Sequence, residues 1–207
     1  PEEVATRDRE RTRGKIHAAA RTAFAAKGLA GARVDAIAAV AGANKRMIYY
    51  YFGSKEGLFG AVLEEIYAEF CAATGALDLA AEPASALTRY VGFVFDYYRA
   101  NPEVIAILNS ENLHGGRHLD RNGRLAEIEA PFTGRLAALL ASGARAGVFR
   151  DGLDPVVLHV TTVALAYFYL GNATTLSIFY GRDLRAADAM EAWRAHMIET
   201  VRRTVAP

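Results

Sequence analysis

The 207-residue sequence predicts an all-α chain, a small N-terminal bundle followed by a larger helical domain. Three observations carry this. Apolar residues recur at three- and four-residue spacing along most of the chain; no stretch alternates apolar and polar in the manner of a strand; and Gly, Pro, Asn and Asp punctuate the periodic stretches. With 52% hydrophobic residues, the chain can fill a core and is not intrinsically disordered. Periodicity and punctuation together give about nine helices.

In chain order, Thr12 to Lys27 places Ile16, Ala20, Ala23 and Phe24 on one helical face, and Gly28 stops that helix. Ahead of it, Arg7, Arg9, Arg11 and Arg13 alternate partly with Asp8 and Glu10, and residues 1–13 are expected to form a flexible basic arm. Two readings of the arm stand open: insertion into a minor groove, or a frayed tail. The next helix, Val34 to Val40, buries Val34, Ile37 and Ala41. Gly42 turns the chain out of it, and Ala38 is small enough for the following helix to pack closely. Asn44 is a good N-cap for a third helix whose apolar anchors are Ile48 and Phe52.

Ser54 caps a fourth helix with Leu58, Phe59, Val62, Leu63, Ile66, Tyr67 and Phe70 on its apolar side, long enough to link the bundle mechanically to the second domain. After the turn-formers of Gly75 to Pro83, five further helices are expected at about Ser85–Ala100, Pro102–Leu113, Arg124–Ala146, Pro155–Phe179 and Arg185–Val205. Asp154-Pro155 is a cap followed by a proline in the first turn, Gly147 to Gly152 is a tight connection, and Gly181 interrupts the pattern before the last helix.

The segment Asp35 to Lys55 therefore spells two short helices around one tight turn, a helix-turn-helix whose second helix is basic and tyrosine-rich. Asn44, Lys45, Arg46, Met47, Tyr49, Tyr50 and Tyr51 are mostly side chains suited to phosphates and base edges. Lys45 and Arg46 adjoin the cap, where a recognition helix enters the groove deepest, and are the candidates for reading bases. Tyr50 reads or packs. Three consecutive tyrosines cannot share one helix face, which argues against an aromatic core cluster. The charge agrees: residues 1–60 carry 11 Lys or Arg against 6 Asp or Glu, and the remainder 13 against 17, although the whole chain is only +1. Positive charge is thus concentrated where phosphate contacts would need it.

Ile16 with Ala19-Ala20, Phe24-Ala25, Gly28, Val34, Ile37-Ala38, Ala41-Gly42, Ile48-Tyr49, Tyr51-Phe52 and Ser54-Lys55-Glu56 resemble the N-terminal domain of the TetR family of repressors. The resemblance covers about residues 14–63 and implies a three-helix DNA-binding domain over 14–58 and an effector-binding and dimerisation domain over 59–207. It implies that Tyr49 and Tyr51 hold phosphates and that Lys55 is the lysine opening the fourth helix. Two positions depart from the family pattern. Ala32-Arg33 stands where Ser or Thr usually precedes the second helix, losing a cap worth about 1 kcal/mol, with Arg33 as a compensating phosphate contact. Met47 stands where a threonine often touches the backbone and offers only apolar contact.

Pro155 to Phe179 carries Val156, Val157, Val160, Val163, Leu165, Phe168, Leu170 and Leu176 around its circumference, and such a helix is either central to one subunit or has a partner. A homodimer is expected, and the resemblance implies an interface made by the last two helices of each subunit, hence a near-palindromic double-stranded operator. Polar side chains interrupting apolar stripes nominate an effector pocket: Tyr98, Asn109, Asn112, Tyr167 and Asn172 among Phe95, Leu108, Leu113 and Phe168. The open alternative is that these groups satisfy one another. Asn109 to His114 with Arg117-His118, and Ile178 to Leu184, also look like a TetR subgroup that includes regulators of pyrimidine and other nitrogen-compound catabolism, implying a small polar effector, with a broad hydrophobic effector as the open alternative.

An enzyme is not expected, and no cofactor, catalytic residue or metal site is assigned. Glu111, His114 and His118 are the best support for a metal-binding enzyme, but Gly115-Gly116 ends the helix between the histidines, and no matching second pair or phosphate loop exists. A helical protein-interaction module is the other alternative and would not need the basic head. The single cysteine, Cys71, excludes an internal disulfide and falls on an apolar pattern, as a buried structural thiol would. Apolar runs are broken well short of the eighteen or so residues of a membrane helix, and the arginine-rich N-terminus has no apolar signal core. The expectation is a cytoplasmic protein with no membrane contact.

Overall fold

The computed structural model describes residues 2–119 and 124–207. Among the described residues there are nine helices and no strand: α1 (Glu2–Gly31), α2 (Val34–Ala41), α3 (Lys45–Phe52), α4 (Lys55–Gly75), α5 (Pro83–Ala100), α6 (Pro102–Leu113), α7 (Arg124–Arg145), α8 (Pro155–Tyr180) and α9 (Ala187–Val205). They form two compact units, one of residues 1–67 and 103–125, the other of residues 68–102 and 126–207.

In the first unit α1 is longer than its apolar pattern, running back to Glu2 through the stretch expected as a mobile arm. The charges there have helical spacing, and Arg11 pairs with Asp8 at 3.1 Å one turn away. Gly28 does interrupt the helix: its φ of 63° is left-handed, and the chain kinks before a last turn to Gly31. Ile16, Ala20 and Phe24 of α1, Ile37 of α2, Ile48 of α3 and Leu58, Phe59 and Leu63 of α4 are all fully or almost fully buried. The Phe24 and Phe59 rings meet edge to face at 4.9 Å, a geometry favoured by the ring quadrupoles. Phe52, expected in the core, is only half-buried. At the last turn of α3 its ring lies under the Arg13 guanidinium, 5.4 Å from the centroid, and 6.4 Å from the His17 ring.

All of α6 after Pro102 belongs to this unit as well. Ser110, buried on α6, accepts a hydrogen bond from the Leu29 N–H through its Oγ at 3.2 Å, supplying a partner to a backbone donor freed by the Gly28 kink. Arg21 reaches Glu103 at 3.1 Å, so α1 and α6 are joined by an ion pair.

The second unit is built on α5, α7, α8 and α9 with the last turns of α4. α5 starts at Pro83 rather than Ser85 because Glu82 caps it, accepting hydrogen bonds from the Ala84 and Ser85 N–H groups at 3.0 and 2.8 Å, with Pro83 in the first turn. α8 starts as expected: Asp154 accepts from the Val156 N–H at 2.7 Å, and Gly181 closes the helix with a φ of 62°. Leu87, Tyr90, Val94 and Phe95 of α5 are buried with Leu136 of α7, Thr162 and Ala166 of α8 and Met197 and Val201 of α9. Arg194 grips Asp96 through Nε and Nη2 at 3.0 and 2.9 Å, and Gly92 leaves the space that this guanidinium occupies. Arg135 donates to the carbonyls of Thr74 and Leu77, satisfying orphan acceptors at the end of α4. Cys71 is half-buried, and burial raises its thiol pKa, as for an inert structural cysteine.

By length and apolarity α8 is sufficient to cross a membrane, because His159, Thr161, Thr162 and Asn172 break its apolar runs without making it polar on average. Its outer face is apolar, with Val156, Val160 and Phe168 exposed.

Candidate functional site

The reading head is α2, the Gly42 turn and α3. Gly42 adopts φ 61°, and the chain reverses with the Ala43 N–H donating to the Ala38 carbonyl at 2.9 Å, a C-terminal cap that frees α3 to leave at a sharp angle. Asn44 then caps α3, its Oδ1 accepting from the Arg46 N–H at 2.9 Å. Ile48, fully buried, pins α3 to the bundle. Everything else on the helix follows from that anchor: Lys45, Arg46, Tyr49 and Tyr50 stand exposed, and Met47 and Tyr51 are half-buried.

The tyrosines are not an aromatic core cluster. Tyr49 is 44% exposed and Tyr50 73%, and Tyr51 touches Tyr50 edge to face at 5.2 Å. Lys45 is exposed but not free: its Nζ lies 2.9 Å from Asp35 Oδ1. Lys55 is half-buried and donates to the Ala32 carbonyl at 3.3 Å, so it ties the start of α4 to the start of α2. Arg33 occupies the N-cap position of α2 without a side-chain cap, as the Ala32-Arg33 departure implies, and is exposed. Ser54 caps α4, accepting from the Gly57 N–H at 2.9 Å. Glu56 in that first turn has its carboxyl drawn below the usual range, chiefly by its own backbone N–H.

The candidate effector residues fall into two groups. Phe95 and Tyr98 are buried in the second unit, where the Tyr98 and Tyr167 rings meet edge to face at 5.8 Å. Phe168, by contrast, is 59% exposed, and Asn172 donates to its carbonyl within α8 at 2.8 Å. Leu108, Asn109, Asn112 and Leu113 belong to the first unit, where Leu108 is half-buried, the two amides are exposed and Leu113 is 87% exposed.

Sequence reasoning missed the polar pair at the centre of the second unit. The fully buried Tyr90 hydroxyl shares a 2.7 Å hydrogen bond with His159 Nδ1. Phe70 and Phe132 flank the imidazole, with centroids at 5.7 and 4.9 Å. Burial lowers the His159 pKa to about 4 and raises that of Tyr90, so both are neutral at neutral pH. The signal was faint: a single histidine in the apolar first half of α8.

Two family models match the chain, one for the N-terminal domain of bacterial regulatory proteins of the tetR family over residues 16–62, the other for a tetracyclin repressor-like C-terminal domain over residues 83–201. The chain is 40% identical over 191 residues to the HTH-type transcriptional repressor NicS of Pseudomonas putida, covering 92% of this chain and 90% of NicS. It is 34% identical over 164 residues to the HTH-type transcriptional repressor SCO4008 of Streptomyces coelicolor, covering 79% and 80%. The crystal structure of the Streptomyces coelicolor regulator SCO4942 superposes with a TM-score of 0.69 at 30% identity, over 94% of this chain and 98% of that one. A basic, tyrosine-bearing helix presented from a three-helix head, joined to a domain matched along most of its length, leads to one conclusion: the chain belongs to the TetR family of helix-turn-helix transcriptional regulators.

Proposed function

We propose that this chain is a homodimeric repressor that reads a near-palindromic double-stranded operator with α3 and releases it when a small molecule binds the second unit. The observation that carries this reading is the outward face of α3, where Lys45, Arg46, Tyr49 and Tyr50 are exposed around one buried anchor, Ile48. Lys45 and Arg46, beside the Asn44 cap, read base edges; Tyr49, Tyr51 and Arg33 hold phosphates; Met47 makes apolar contact; and Lys55 keeps the turn between α3 and α4 against the head. The naming of NicS and SCO4008 as repressors supports repression as the direction.

The polar and aromatic interior of the second unit supports an effector that combines a planar apolar body with hydrogen-bonding groups, met by Phe95, Tyr98, Tyr167 and the Tyr90–His159 pair. The exposed apolar side chains of α8 support a dimer through α8 and α9. Two recognition helices about 34–36 Å apart then enter successive major grooves, and effector binding mis-spaces them. An operator reader of this kind works in the cytoplasm.

The test is selection of genomic fragments by the purified full-length protein, followed by affinity for the winning fragment across a salt titration. Enrichment of a palindrome with a steep salt slope is expected. A chain that remains folded and dimeric yet enriches no sequence would overturn the reading.

A further inference from the structure

The two glycines after α6 bring together residues that a helix would separate. Gly115 and Gly116 have φ of 69° and 72°, and the chain folds back so that His118 returns to Glu111. The His118 backbone N–H donates to Glu111 Oε1 at 2.7 Å, and its ring Nδ1 lies 2.6 Å from Oε2. His114 stands beside them, its ring centroid 5.3 Å from that of His118. Glu111, His114 and His118 each offer a ligand atom, all within 4.8 Å of one another.

Three features make this more than a surface cluster. Glu111 is 2% exposed, and a carboxylate so deep is costly unless a positive group or ion faces it. The His114 Nδ1 is 2.6 Å from the Ser110 carbonyl, which can only accept, so Nδ1 carries the proton and Nε2 keeps its lone pair for a ligand bond; Ser110 itself is fixed by Leu29. Finally, the histidines line an open cavity of about 450 Å³ with Leu29, Lys55, Glu56 and Arg117, which leaves room for water on an ion. Lys55 and Arg117 bring two positive charges to its wall, and Glu56 brings a negative one.

The geometry points to a mononuclear site for a zinc-class divalent cation, held by Glu111, His114 and His118 with open positions for water. Two imidazoles and one carboxylate suit such an ion, whereas calcium and magnesium prefer all-oxygen sets. At bond lengths of about 2.0–2.2 Å, ligand atoms stand about 3.3 Å apart, so the His118–Glu111 contact opens by less than about 1 Å and His114 swings inward. An ion here would brace α4 of the same unit, because the His118 ring packs edge to face on Phe59 at 5.5 Å and Gly60 leaves the space taken by the His118 carbonyl.

The test is equilibrium dialysis of the full-length, untagged chain against zinc, with cobalt absorption as a second probe and thermal unfolding as a third. Expected are a single bound equivalent, a tetrahedral or five-coordinate cobalt spectrum, and a higher Tm with zinc. His114→Ala and His118→Ala should each weaken zinc binding by more than about 100-fold and abolish the Tm rise, while His196→Ala on α9 leaves both unchanged. If His118→Ala fails to fold because Glu111 loses its partner, His114→Ala decides the matter. A wild-type chain that takes up no zinc, or binding that survives His114→Ala, would overturn the site. None of these readouts requires DNA, so the result stands apart from the operator reading.

Discussion

Lys45 Nζ lies 2.9 Å from Asp35 Oδ1, which tethers the first residue of the recognition helix to the helix before it. The ammonium is held above its ordinary pKa by that hydrogen bond first and by the Asp35 charge second. Both side chains are about half exposed, so the pair contributes little to stability, and its effect falls on binding. Asp35 sets a negative charge beside the surface assigned to phosphates and bases. Asp35→Asn should therefore raise affinity for operator and non-operator DNA alike, by several-fold at low salt, and the gain should shrink as salt is added. Affinity at three salt concentrations checks this; a gain confined to the operator would instead mark the pair as a device for specificity.

Arg46 and Tyr49 should behave differently when truncated. Arg46→Ala, removing a base-edge donor next to the Asn44 cap, should cost about 1–3 kcal/mol on the preferred site and relax preference at one position in each half-site. Tyr49→Phe removes only a hydroxyl from a ring that is 44% exposed, and should weaken all sequences similarly, by about 0.5–1.5 kcal/mol. Affinities across a panel of single-base operator variants separate the two, and the reverse pattern would exchange their roles.

His159 makes the second unit sensitive to acid. Its folded pKa, about 4, lies below the 6.5 of the free imidazole, because burial penalises the charged ring. The unfolded chain therefore binds the extra proton between these values, and the neutral ring's contribution to stability is complete above about pH 6.5. It is lost as pH falls toward 4, to the extent of about 3 kcal/mol at most. Urea midpoints at several pH values should show this decline, and His159→Asn, which keeps a partner for Tyr90, should flatten it.

The head is legible almost residue by residue from local signals, since the Gly42 turn, the Asn44 cap, the Ile48 anchor and the Ser54 cap each depend on neighbours a few positions away. What escaped depends on distance or on context. Asp8 and Arg11 read as a solvated arm, yet their spacing also suits a helix. Gly115-Gly116 ends the helix between His114 and His118, but a glycine turn also reverses a chain, and its direction is set by packing against Phe59 and Gly60. Tyr90 and His159 are 69 residues apart, and nothing in either neighbourhood announces the other. Met47 and Arg33 could be flagged as departures, but the change they bring to sequence preference depends on the DNA opposite them.

Gly143 of α7 is a packing glycine rather than a conformational one. A Cβ built on it would overlap the ring of Phe149, which is 4% exposed and plugs the end of the second unit just before the connection to α8. Gly143→Ala must displace that ring, and overpacking of this kind costs about 1–3 kcal/mol despite alanine's better helix propensity. A lower urea midpoint at unchanged m-value is the expected result. A stabilised variant would show that Phe149 moves aside freely.

Val156, Val160, Ala164 and Phe168 follow one another at four-residue spacing along α8 and all face solvent, with Val160 and Phe168 each 59% exposed. That stripe runs about 18 Å, long enough to seat a partner helix. Isolated apolar residues on a surface need no explanation, but a continuous stripe on a long apolar helix does. A second copy of the same stripe, related by a two-fold axis, would cover it and contribute to the roughly 800 Å² per partner of a stable interface. Val160→Glu would place two carboxylates near that axis, where burial and mutual repulsion both oppose association. The variant is expected to sediment as a folded monomer with unchanged helical circular dichroism. Because one head grips only half of a palindrome, its operator affinity should fall by at least about 100-fold while its weak binding to non-specific DNA persists. A variant that stays dimeric would move the interface off this stripe, and a monomer that keeps full operator affinity would mean that one head is enough.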